Sequence, residues 1–357
     1  MQHEFFMKRI LVIRLSAIGD VIFASGLLPA LRARYPDAHI SWLVEPMAAS
    51  LLSENDLLDE VIVWPKNQWK ELWRTRQYMT LWREVSAFRR RLRQGQFDTV
   101  IDVHGILKSG FLAWLSGSPK RIGLGRREGS WLFHTESVER DNTHPMISSE
   151  YRGMATHLGL PDDAFRMHIG VHEATATSAI QQLGDVAHQP YCVICPFTTR
   201  PQKHWFDTHW RELIEQLTSS DNAMPVVVLG GPSDQAHART LLASFVDGPM
   251  REGKAPVLNL VGATSLLQAA TIIENSALVV GVDTGLTHLG IAKARPTVAL
   301  FGSTCPYLDT GQPNAKVIYS ALPCSPCRRR PTCGGTFDCM KEITPSQVLD
   351  VAAQVML

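Results

Sequence analysis

The sequence predicts an α/β protein made of two doubly wound units in tandem. Short apolar β-rich runs alternate with segments whose apolar residues recur at helical spacing, the pattern of parallel sheets covered by helices on both faces. The alternation lapses over residues 162–189, which hold no clear strand, and then restarts. The chain has 357 residues, enough for two domains at roughly 150 residues each.

In the first half, residues 8–14 (KRILVIR) read as a strand, and residues 21–35 follow as a helix that Pro36 ends. Strands are expected at 40–44, 61–64 and 99–103, and helices at 81–93 and 106–115. In the second half, strands are expected at 191–195, 226–229, 257–260, 278–282 and 297–301. Helices at 208–217, 233–245, 266–275 and 286–294 separate them, and a further helix closes the chain. The expected division is 1–175 and 176–357. Ligands of open α/β sheets bind beyond the carboxyl ends of the strands.

Composition narrows the function. Apolar residues make up 45% and charged residues 19%, which excludes a disordered chain. Lys plus Arg is 35 and Asp plus Glu 34, a net charge of +1, so no nucleic-acid partner is expected. Lys8 and Arg9 precede only four apolar residues before Arg14, which is no signal peptide, and no run approaches a membrane span. The expectation is a cytoplasmic chain that rests on a membrane surface. Cys192, Cys195 and Cys305 read as packing residues.

Three loops carry candidate chemistry. Residues 15–21 (LSAIGDV) follow the first strand. Gly19 allows close approach of backbone, and Asp20 stands where a helix begins. Asp20 also fits a plain first-turn carboxylate facing the helix dipole. Residues 198–205 (TTRPQKHW) set the hydroxyls of Thr198 and Thr199 beside Lys203, a set that suits a phosphate or forms a solvated loop. Residues 281–288 (GVDTGLTH) join a strand to a helix whose free N–H groups suit an anion. There Asp283 and Thr284 can also act as caps, and His288 as a packed ring.

Charge and cysteine add two features. Residues 66–93 hold nine Lys or Arg against Glu71 and Glu84, and Lys108, Lys120, Arg121, Arg126 and Arg127 follow. Trp64, Trp69, Trp73 and Trp82 lie among these charges, a mixture that suits an anionic partner or a membrane interface, or simply a solvated face. Cys324, Cys327, Cys333 and Cys339 follow C-x2-C-x5-C-x5-C spacing, which can hold a structural metal or be reduced thiols.

RLSAIGDVIFASGLLPALRARYP, VIDVHGILKSG, TTRPQKHW and GVDTGLTHL, in this order, resemble glycosyltransferase family 9, the bacterial heptosyltransferases of the lipopolysaccharide inner core. The resemblance covers nearly the whole chain. It implies a GT-B fold, with an acceptor-binding first domain and a second domain that binds the sugar nucleotide. It also implies inverting transfer of heptose from ADP-heptose without a catalytic cofactor, by an enzyme peripheral on the inner membrane. Asp20 matches the family's proposed general base. Thr198, Thr199 and Lys203 match donor phosphate contacts, and Asp283, Thr284, Gly285 and His288 match the donor-binding helix start. Gly19, Lys108, Lys120 and Arg121 are expected to face the acceptor. The stretch 66–110 resembles type I enzymes and the Cys-rich segment a loop of type II-like members, so Kdo-lipid A and a heptosylated core both remain in view. The alternatives are another glycan acceptor, or a GT-B-like isomerase of a nucleotide sugar. The one-sided basic charge counts against the isomerase.

Overall fold

The computed structural model describes residues 7–140, 144–219, 223–246, 253–304, 307–327 and 330–357. The chain divides into two compact units. The first comprises residues 1–144 and 148–170, and the second residues 145–147 and 171–357. The division falls slightly earlier than the expected 175, because helix Glu173–Leu183 packs on helix Leu266–Glu274 of the second unit.

The first unit is a six-stranded parallel sheet. Its strands are β1 (Arg9–Ile13), β2 (His39–Val44), β3 (Glu60–Val63), β4 (Thr99–Asp102), β5 (Lys120–Leu124) and β6 (Glu136–Val138), in the spatial order 3-2-1-4-5-6. The central strands are buried on both faces, so they read as unbroken apolar runs rather than as alternation. Leu11, Ile13, Leu43, Val100 and Leu112 share a core with Phe88 and Leu92 of helix Tyr78–Gln94.

The second unit repeats the topology. Its strands are β7 (Cys192–Cys195), β8 (Val226–Val228), β9 (Val257–Asn259), β10 (Leu278–Val282), β11 (Thr297–Phe301) and β12 (Ala315–Tyr319), in the order β9-β8-β7-β10-β11-β12. Trp205 and Trp210 are buried in its core, and the Trp205 indole donates to Ile343 O at 2.8 Å. Cys192 and Cys195 are buried in β7, whereas Cys305 lies outside the described residues. Two Rossmann-like units in one chain make up the GT-B class.

In each sheet the strand order reverses beside the first strand, between β1 and β4 and between β7 and β10. A Rossmann sheet opens its ligand crevice at that switch point, beyond the carboxyl ends of those strands. Asp20 and Lys108 lie in the first turns of the helices that follow β1 and β4, and Lys203 and Asp283 in the connections that follow β7 and β10.

Candidate functional site

In the first unit, Asp20 lies in the first turn of helix Ile18–Ala24. Its Oδ2 accepts the Ala17 N–H at 3.2 Å and meets Arg14 Nη2 at 2.5 Å. The Asp20 side chain is 40% exposed and that of Arg14 only 8%. The carboxylate thus faces solvent, with a buried guanidinium behind it. Arg14 also reaches Val103 O at the end of β4 and lies over the Tyr151 ring. Gly19 is already helical, so the non-helical loop runs from Arg14 to Ala17 rather than up to Gly19.

The turn after β4 is built on Asp102, which is fully buried. Its Oδ1 accepts the N–H groups of His104 and Gly105 at 3.0 Å each. Its Oδ2 accepts the Ser109 hydroxyl at 2.8 Å and meets His134 Nε2 at 2.9 Å. Gly105 has φ +65°, and a Cβ there would fall 1.8 Å from Leu124 O, so only glycine fits. The turn presents His104, whose Nδ1 accepts the Leu15 N–H at 3.2 Å. Glu45, at the end of β2, is mostly buried and pairs with Lys66 at 2.8 Å and Lys108 at 3.3 Å. Lys108 therefore stands at the same sheet edge as the Asp20 loop.

Lys120 and Arg121 do not. They open β5 in register with Thr99 and Val100, at the amino end of a parallel sheet. The Arg121 guanidinium is occupied by the carbonyls of Phe133 and Ser118. Their expected contact with the acceptor is corrected: the sheet lies between them and Asp20.

In the second unit, the turn Pro201–Lys203 after β7 aims Lys203 Nζ at Asp283 Oδ2, 2.5 Å away. Asp283 follows β10, and Oδ1 lies 3.3 Å from His288 Nε2. The Thr304 hydroxyl donates to Oδ2, and His288 Nδ1 bonds Tyr307 Oη at 3.0 Å. Burial would push the Asp283 carboxyl up, but His288 and the Lys203 ammonium outweigh it and hold it well below the usual carboxylate range. Thr198 Oγ1 lies 3.4 Å from Asp283 O, and Thr199 is exposed nearby in sequence. Thr284 is the N-cap of helix Gly285–Ala292, with no side-chain cap bond of its own. Gly281 is obligatory, since a Cβ there would fall 2.1 Å from Thr287 Oγ1. The arrangement offers one lysine and the N–H groups of a helix start at a strand edge, which is a phosphate-type site.

The four loop cysteines do not converge as a metal site. Among the described residues, no group of three or more His, Cys, Asp or Glu is arranged to hold a metal ion. Cys324 is exposed. Backbone N–H groups of Phe337 and Gly335 surround the Cys333 thiol and lower its pKa. Cys339 is buried in helix Asp338–Lys341 against Gly302. After burial, Cys333 and Cys324 raise the Cys327 thiol and all three raise that of Cys339, so the thiols of the C-x2-C-x5-C-x5-C segment are neighbours without a metal-like arrangement.

Sequence reasoning passed over Arg14, Glu45, His104, Thr304 and Tyr307. Arg14 carried a signal, because a charge that ends a fully buried strand needs a partner beside it. Thr304 and Tyr307 follow β11, the neighbour of β10, and no motif marks them.

Residues 85–336 match the model of glycosyltransferase family 9 (heptosyltransferase). The chain is 28% identical over 309 residues to lipopolysaccharide heptosyltransferase 1 of Salmonella typhimurium, covering 85% of this chain and 91% of that one. It is 26% identical to lipopolysaccharide heptosyltransferase 2 of Escherichia coli K12, over 98% of this chain and 99% of that one. The solved structure of E. coli ADP-heptose lps heptosyltransferase II superposes with a TM-score of 0.76 at 25% identity, over 98% of both chains. The structure of E. coli heptosyltransferase WaaC with ADP gives 0.73 at 26% identity, over 97% of this chain and 99% of that one.

Proposed function

Because the chain belongs to glycosyltransferase family 9, we propose that this glycosyltransferase moves a heptose from ADP-heptose to the lipopolysaccharide inner core, with inversion at the anomeric carbon. The relatives named above are called lipopolysaccharide heptosyltransferases, and one solved E. coli heptosyltransferase is a structure with ADP-2-deoxy-2-fluoro heptose. The observation that carries the reading is the placement of Asp20 and of the Lys203–Asp283 pair, each at the switch point of its own sheet.

The chemistry follows from these groups. Inversion needs in-line attack by an acceptor hydroxyl, and the solvent-facing carboxylate of Asp20 takes its proton as the bond forms. Departure of ADP builds negative charge on the β-phosphate. Lys203 and the N–H groups at the start of helix Gly285–Ala292 stabilise that charge without a divalent ion. The first unit takes the acceptor, with Lys108 at its edge, and the second takes the donor, with Thr198, Thr199, Asp283, Thr284, Gly285 and His288 around the nucleotide sugar.

The test is incubation with ADP-heptose and a panel of truncated cores, read by mass spectrometry, with EDTA in a parallel set. The expected result is one added heptose on one class of core, with equal rates in both sets. No transfer to any core would overturn the reading, and loss in EDTA restored by Mg²⁺ would overturn the metal-free step.

Contact with the membrane belongs to the same reading. Among the described residues no helix is long and apolar enough to cross a membrane. Helices Lys66–Arg74 and Tyr78–Gln94 form a hairpin whose inner face buries Phe88 and Leu92. Its outer face shows Trp73 66%, Met79 69% and Trp82 66% exposed. Lys70, Arg76, Arg83, Arg89 and Arg90 lie on the same hairpin with no ion pair among the described residues. Exposed aromatic rings and cations on one element suit the headgroup region of an anionic bilayer. Arg89→Glu with Arg90→Glu should weaken sedimentation with anionic vesicles by an order of magnitude or more, since each cation near such a surface contributes about 1 kcal/mol. ADP affinity should be unchanged. Undiminished vesicle binding in the double variant would make these arginines a solvated helix face.

A further inference from the structure

Arg14 and Asp20 close the first loop from its two ends. Arg14 follows β1, and its carbonyl accepts the Trp42 indole N–H at 3.3 Å. Leu15 O accepts the Glu45 N–H at 2.9 Å, which pins the start of the loop to the end of β2. The buried Arg14 guanidinium donates through Nη1 to Val103 O at 3.4 Å and lies 5.8 Å from the centre of the Tyr151 ring. Its Nη2 meets Asp20 Oδ2 at 2.5 Å. The other carboxylate that faces Arg14, Glu150, is itself held by Arg140 Nη1 at 2.5 Å. Arg14 is thus fixed from the sheet side, and Asp20 is the group that it restrains.

The two oxygens of Asp20 differ. Oδ2 accepts from both the Arg14 guanidinium and the Ala17 N–H, which occupies its lone pairs. Oδ1 has no protein partner among the described residues, and the side chain opens to solvent. We propose that Arg14 is a positioning residue for the transfer: it holds Asp20 by Oδ2 and so leaves Oδ1 as the atom that takes the acceptor's proton. The inference rests on the glycosyl-transfer reading above and adds a residue and an atom to it. As the acceptor oxygen bonds to the anomeric carbon, the bond from that carbon to the β-phosphate oxygen breaks. Its electron pair leaves with ADP. The hydroxyl proton passes to Oδ1, and from there to solvent once the products have left. A carboxylate free to turn about its side-chain bonds would lose this aim, and a misplacement of about 1 Å can cost 10²-fold in rate.

A double-mutant cycle separates this role from a structural one. Arg14→Met should lower kcat roughly 10- to 100-fold and leave the KM values for ADP-heptose and the acceptor near wild type. Arg14→Lys keeps one cation for Oδ2 but cannot also span to Val103 O, so its kcat should fall between the two. In the Asp20→Asn background, where the base is already gone, Arg14→Met should cost no further rate, because Arg14 acts through Asp20 alone. If the two losses multiply in the double variant, or if Arg14→Met raises a KM and spares kcat, the proposal is overturned. The same cycle with Arg14→Lys, which keeps the buried charge, gives the answer if Arg14→Met does not fold. Crystal structures of wild type and the Arg14 variant supply a readout without activity. Asp20 should turn away or occupy more than one rotamer in the variant, and an unmoved carboxylate would overturn the proposal. If wild type itself transfers nothing to any core, the glycosyl-transfer reading fails, and these structures still decide whether Arg14 holds Asp20.

Discussion

Asp20→Asn is expected to lower turnover by roughly 10²-fold or more while ADP binds as before. The amide keeps an oxygen for the Ala17 N–H but cannot take a proton from the acceptor hydroxyl. The rate should fall across the whole pH range, because the base is absent rather than shifted. The substitution also removes the counter-charge of Arg14, whose side chain is buried. Asp20 is itself partly exposed, so the cost in stability should be roughly 1–2 kcal/mol, between the values for surface and buried pairs. Circular dichroism at the assay temperature separates the two effects. A variant that turns over at the wild-type rate would remove Asp20 as the base, and one that merely unfolds would show lost ellipticity and lost ADP binding together.

The strands legible in the sequence were those with a continuous apolar run, including the edge strands β3 and β9. Their apolar runs survive without tertiary context, as in β1, β4, β7, β10 and β11. Strands β5, β6 and β12 were missed. β5 opens on Lys120 and Arg121, β6 has three partly buried residues, and β12 lies at a sheet edge. Where charged or small residues break the apolar run, as in KRIGL and ESV, pattern alone passes over the strand. Missing β5 had a functional consequence: two strand residues at the amino end of the sheet were taken for acceptor-facing ones.

The helix expected over residues 21–35 is two helices, Ile18–Ala24 and Leu27–Arg34. The break falls where the Ser25 hydroxyl bonds back to Ile22 O and accepts the His168 N–H. A Cβ at Gly26 would fall 2.7 Å from the Phe165 ring. Phe165 and His168 lie far along the chain, so apolar periodicity carried no trace of the break. The site divided in the same way. Asp20, Lys203 and Asp283 were found because loops at the ends of central strands are short and local. Glu45 and Tyr307 were not, because their partners, Lys66 with Lys108 and His288, follow other strands.

Lys203→Ala is expected to be the most damaging change in the second unit, with turnover reduced roughly 10²- to 10³-fold and ADP bound more weakly. Lys203 and Asp283 are buried partners, with side chains 16% and 9% exposed. Breaking such a pair leaves the carboxylate to His288 and Thr304 alone and costs at most about 3 kcal/mol. The pH dependence gives an independent readout. Asp283 has its pKa depressed in the folded chain relative to its ordinary 3.8, so it contributes stability that is full above that value. That contribution is lost as pH falls through the folded value. Without Lys203 the depression is smaller, so less stability is present at neutral pH and acid unfolding of the second unit should begin at higher pH. His288 and Thr304 still hold the carboxylate, which keeps the variant folded near pH 7. Asp283→Asn supplies the converse: it leaves Lys203 charged and free to reach a phosphate, so ADP binding should fall less than in Lys203→Ala. Calorimetry with ADP and acid titrations followed by circular dichroism measure both effects. If ADP affinity and turnover in Lys203→Ala match wild type while acid stability drops, the lysine serves Asp283 alone and the leaving diphosphate is stabilised by the start of helix Gly285–Ala292.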